Sequence, residues 1–174
     1  MEIRVTKYNP IYRNEKGHYP LDEWTEYFQV GQIFDGKEFT YNEYVETENK
    51  YITAIQLFLD EYNCQIVIIE ELEIDRGEKR IFNEKEKVFL ETFKQIKKHS
   101  IINRKEISDA ASLILRGLFW GVWYNIDDPK VSIRFGYDFY MYFVAPEISQ
   151  SLIEKIESTG LFVDYGRQTE FVYE

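Results

Sequence analysis

The sequence predicts an α+β fold in a single domain spanning residues 1–174: a mostly antiparallel sheet packed on one face by three or four helices. Three observations carry that expectation. The chain has 174 residues with 44% hydrophobic content, enough to bury most of its apolar surface in one core. Its middle shows helical spacing of apolar residues. Its last third is made of aromatic and β-branched runs broken by turn residues, which reads as a meander of strands. Four prolines and nine glycines, without a polar low-complexity tract or an internal repeat, predict no linker and no disordered tail.

In "EIRVTKY", Ile3 and Val5 alternate with polar neighbours, as in an edge or half-buried strand. A long loop region follows. At Thr40 a plausible N-cap, with Glu43 three residues on as in a capping box, opens a helix. Its apolar positions run from Tyr41, Tyr44 and Val45 to Phe58, Leu59 and Tyr62. Glu48 interrupts the stripe one turn from Tyr44 and Ile52, so it lies at the margin or is a partly buried carboxylate with a partner.

"QIVIIEELEI" has the length and β-branching of a core strand and is followed by a turn at "DRGE". A helix near residues 83–98 is expected to start at Asn83 and bury Phe89, Phe93 and Ile96. Another runs from about Asn103 or Lys105 to Arg116, with Ile107, Ala110, Ala111 and Ile114 on one face and Gly117 near its stop. Strands are then expected at "LFWGVWYN", "KVSIRF", "YDFYMYFVA", "LFVDY" and "EFVYE", with turns at Asp127 to Pro129 and near Gly136. Between them, "PEISQSLIEKIESTG" places Pro146 in a helical first turn, Ile148, Leu152 and Ile156 on one face, and Gly160 at the stop.

Motifs for chemistry are absent: there is no phosphate-binding glycine loop, no HExxH, no GxSxG and no CxxC. Cys64, the only cysteine, lies in the apolar run "CQIVII" and reads as an inert buried thiol. His18 reads as surface decoration in a Gly-flanked loop, and His99 follows a predicted helix C-terminus that favours its charged form. Two histidines are too few for a histidine-rich metal centre. No cofactor and no metal are expected. With no apolar stretch of the roughly 18 residues that a membrane span needs, and no secretory leader, a cytoplasmic location without membrane association is expected.

Charge supplies the functional signal. The net charge is −10, and residues 37–75 hold ten Asp and Glu against Lys37 and Lys50, a balance of 2 − 10 = −8. Residues 76–105 reverse sign, with ten Lys and Arg against four Glu, a balance of +6. Lys and Glu interleave there as on a solvated helix face, and the overall negative charge argues against nucleic-acid binding. In "FGYDFYMYF", alternation sends Tyr137, Phe139, Met141 and Phe143 to one face. Asp138, Tyr140 and Tyr142 fall on the other, a composition suited to a protein contact surface. The stretch "LDEWTE" reads as Trp24 plugged into the core with Asp22 and Glu23 at its rim.

The tract "KYNPIYRNEKGHYPLDEWTEYFQVGQIFDGKEFTYNEYVETENKYITAI", and again "RFGYDFYMYFVAP", resembles the immunity proteins of bacterial polymorphic toxin systems. The likeness rests on Lys7 and Tyr8, Gly17, Tyr19, Asp22, Glu23, Trp24 and Thr25, Gly31, Gly36 and the helix from Thr40, and leaves residues 65–118 uncovered. It implies a non-enzymatic inhibitor that binds one cognate toxin domain. Because such toxins are often basic nucleases, an acidic and aromatic surface including Asp22, Glu23, Glu43, Glu46, Tyr140 and Tyr142 is expected to bind the partner. The alternatives are a small hydrolase or other enzyme using Asp22, Glu23 or a tyrosine, and a scaffold without activity.

Overall fold

The computed structural model describes residues 1–74 and 86–165. Strand β1 (Glu2–Thr6) sends Ile3 and Val5 into the core, as its alternation requires. The loop that follows is not featureless: it carries a short hairpin, β2 (Ile33–Phe34) and β3 (Lys37–Glu38). Helix α1 (Tyr41–Glu61) starts where Thr40 Oγ1 accepts the Glu43 amide at 3.2 Å. The Glu43 carboxylate pairs with Lys37 at 3.4 Å instead of closing a capping box.

Strand β4 (Ile66–Glu73) follows, and the expected "DRGE" turn and the Asn83 helix start lie outside the described residues. Helix α2 (Leu90–Gln95) is shorter than expected: residues 87–89 form a tighter turn, and the backbone becomes extended at Ile96. Ile96 is fully buried, whereas Phe89 and Phe93 are only partly so. A strand that the sequence reading did not anticipate follows, β5 (Ile101–Asn103). It exists because His99 N–H bonds Ile69 O and the Ile69 N–H bonds Ser100 O, which zips the segment onto β4.

Helix α3 (Ile107–Leu115) ends at Gly117, which adopts φ +66°. The C-terminal meander is β6 (Trp120–Asn125), β7 (Ser132–Phe135) and β8 (Tyr140–Val144), paired antiparallel in sequence order as expected. Helix α4 (Gln150–Glu157) begins after Ser149, whose hydroxyl accepts the Leu152 amide at 3.1 Å. Pro146 therefore lies before the helix and not in its first turn, because the serine cap sets the boundary. Ile148, Leu152 and Ile156 are buried as expected. Strand β9 (Phe162–Asp164) follows, and the expected strand "EFVYE" lies outside the described residues.

Among the described residues the main sheet has seven strands in the order β5-β4-β6-β7-β8-β1-β9, with every pairing antiparallel. β1 is thus an interior strand, flanked by β8 and β9, and not an edge. Ile3, Val5, Met141, Phe143, Ile133 and Trp123 meet across the ladders on one face. That face receives the helices: Phe58 of α1 stacks on Phe143 with centroids 4.3 Å apart. Contacts of α1 with α3 and α4, and of α2 with α3, make one helical layer. Among the described residues, no helix is long and apolar enough to cross a membrane.

Candidate functional site

Aromatic contacts pin the loop between β1 and α1 to the end of this core. Trp24 is 6% exposed and stacks on Phe39 at 4.2 Å, with the edge of Phe139 at 5.0 Å. Tyr8 Oη donates to Trp24 O at 3.3 Å. Lys7 Nζ lies 4.1 Å from both the Tyr8 and Trp24 ring centroids. Burial lowers the Lys7 pKa, and the Glu23 carboxylate at 3.1 Å opposes that shift. Glu23 also accepts the Tyr19 phenol at 2.6 Å, while Asp22 accepts the Asp35 amide at 3.2 Å. Trp24 is therefore in the core with its two acidic neighbours at the rim, as the sequence predicts.

The loop also exposes apolar side chains. Ile11, Tyr12, Leu21, Phe28 and Ile33 all stand in solvent. Residues 11–46 carry eight Asp and Glu against Arg13, Lys16 and Lys37, a balance of 3 − 8 = −5. The β2–β3 hairpin draws part of this charge together, since Asp35 touches Asp22 at its head and Lys37 pairs with Glu43. Glu46 follows on α1, exposed.

Tyr140 and Tyr142 point the other way. They alternate with the buried Met141 and Phe143, which places them on the sheet face away from α1. Tyr140 lies between the guanidinium groups of Arg4 and Arg13, at 5.1 and 5.5 Å, and Tyr142 lies under Arg134 at 5.8 Å. Tyr8 bridges Tyr140 at 5.5 Å and Tyr19 at 4.8 Å, so only Tyr140 is linked to the acidic loop. The expected alternation stops at Tyr140, because residues 137–140 form a turn closed by Tyr140 N–H on Tyr137 O at 3.1 Å. Tyr137 is 82% exposed and Phe139 is buried, so the two do not share a face.

The sequence reading did not anticipate a cavity of about 390 Å³ at this end of the sheet. Its floor includes Tyr27, Tyr51, Arg116, Phe135 and Phe139, all buried. Its rim includes Glu26, Phe28, Glu73, Tyr137 and Asp138, all exposed, with Trp120 beside them. Three backbone irregularities shape it. Gly117 turns the chain out of α3; Asp138 and Phe139 both adopt left-handed backbone at φ +54° and +60°; and β4 bulges between Glu70 and Glu73, with Glu71 at φ +52°. Tyr51 Oη fixes the turn by donating to Phe139 O at 2.5 Å while accepting the Lys7 amide at 2.7 Å. Burial pushes the Tyr51 phenol well up from its ordinary value.

Beside this floor lies the ion pair that Glu48 announced. Glu48 and Arg116 are 4% and 3% exposed and make two hydrogen bonds of 2.8 Å, with Tyr44 Oη donating to Glu48 at 2.9 Å. The rings of Tyr27, Tyr44 and Phe89 surround the guanidinium at 5.2, 5.6 and 4.8 Å. Burial alone would lower the Arg116 pKa, but the hydrogen bonds and charge of Glu48 raise it.

Among the described residues, no group of three or more His, Cys, Asp or Glu could hold a metal ion. His99 Nδ1 lies 2.7 Å from Glu70 Oε1 on the surface, and His18 is exposed. Cys64 is buried, which pushes its thiol pKa up. No protein-family model matches the chain, and no curated protein or solved structure matches it.

Proposed function

We propose that this protein is a non-enzymatic inhibitor that binds and neutralises a cognate toxin domain of basic character. The observation that supports it best is the segment of residues 11–38, which stands five large apolar side chains in solvent and carries six Asp and Glu against Arg13, Lys16 and Lys37. Apolar anchors within a charged rim suit a protein interface, and carboxylates on a pinned loop suit a basic partner. The resemblance to immunity proteins includes this segment.

The test uses the purified chain as bait, with captured proteins identified by mass spectrometry and the partner domain then co-expressed with it. The expected result is a basic toxin domain whose growth inhibition the chain relieves. Asp22→Lys combined with Glu43→Lys should reduce capture on the order of tenfold, because both charges lie around the β2–β3 hairpin. Turnover of a substrate by the isolated chain, or capture indifferent to both reversals, overturns the reading.

A further inference from the structure

We propose that the cavity between Tyr27, the α3–β6 corner and the β7–β8 turn is a socket for an arginine side chain of the protein partner. The proposal rests on the protein-binding reading and adds a specific chemistry to it. The volume, about 390 Å³, is at the lower end of ligand sites, which span about 300–1,000 Å³, and suits a long side chain with part of its backbone.

Charge selects the occupant. Three carboxylates line the opening, those of Glu26, Glu73 and Asp138, and none of them has an ion-pair partner among the described residues. Arg116, the one cation among the described lining residues, has its charge matched by Glu48. An anion is therefore repelled and a cation drawn in. The aromatic rim of Phe28, Trp120 and Tyr137 favours a flat cation that stacks, and separate carboxylates favour one with several divergent donors. A guanidinium has both properties, whereas an ammonium is more strongly hydrated and has a single charged point.

Two of the carboxylates are also held by the backbone around them. Asp138 sits in the left-handed turn that Tyr51 fastens, and Glu73 follows the β4 bulge opposite Trp120. Glu26 and Phe28 belong to the loop whose apolar and acidic side chains form the proposed interface, so the socket opens beside that surface.

Two-dimensional NMR of the full chain tests this, because of the three tryptophans only Trp120 lines the cavity. Its indole N–H bonds Phe135 O, which makes that resonance a local reporter. N-acetyl-arginine methylamide should shift it saturably at millimolar concentration, and the neutral citrulline analogue should not. Glu73→Gln with Asp138→Asn, both on the surface, should weaken the arginine derivative on the order of tenfold and leave the fold intact. No shift at tens of millimolar, an equal shift by the citrulline analogue, or indifference to the double variant overturns the socket. A partner captured equally well by the double variant, yet lost on reversal of Asp22 and Glu43, sinks the socket alone and leaves the acidic interface standing.

Discussion

Glu48 is the residue at which sequence and structure meet most informatively. A carboxylate inside an apolar helical stripe has to be paired, because leaving a charge unpaired in a core is costly. The pattern therefore announced a partner but could not name it, since Arg116 lies 68 positions away, beyond any periodicity. Removing one member should be far worse than removing both. Glu48→Ala, which strands a caged guanidinium, should cost about 3–5 kcal/mol of stability in urea unfolding, and the Glu48→Met, Arg116→Met double variant should recover most of it. A double variant as unstable as the single would mean that the aromatic cage needs the ions themselves.

For whole elements, what was legible follows from how local the cause is. α1, α3 and the meander β6–β8 were readable because their periodicity and turn residues lie within each segment. β5 was not, because three residues become a strand only through bonds to Ile69 on a distant strand. The start of α4 was misplaced because Ser149 caps more effectively than Pro146 initiates. The cavity was illegible for the same reason as β5: its walls come from a bulge, a helix stop and a hairpin turn that meet only in three dimensions. The loop between β1 and α1 is the intermediate case, since Trp24 was readable as an anchor although Phe39 and Phe139 were not readable as its contacts. Trp24→Ala should cost about 3–5 kcal/mol and lower the hydrogen-exchange protection of residues 17–39 more than that of the sheet. An equally stable variant that loses only partner binding would move Trp24 from the core to the interface.

Across the whole molecule, charge is divided between two faces. The sheet face away from the helices carries Arg4, Arg13 and Arg134 in pairs with Asp164 and Glu2, so it presents little net charge. The loop and the start of α1 carry an excess of carboxylates, eight against three basic residues over positions 11–46. A protein of net charge −10 with this asymmetry should orient a basic partner before contact, which acts on the encounter more than on the bound complex. Raising monovalent salt from about 50 to about 500 mM shortens the Debye length about threefold, so association should slow on the order of tenfold while dissociation changes less. Reversing Glu43 and Glu46 to Lys should slow association further at low salt and blunt its salt dependence, because two of the steering charges have changed sign. Stopped-flow mixing with the captured partner reads both rates directly. Association that ignores salt and the reversals alike would eliminate the acidic surface as the docking face and leave the tyrosine and arginine face of the sheet as the surface to test.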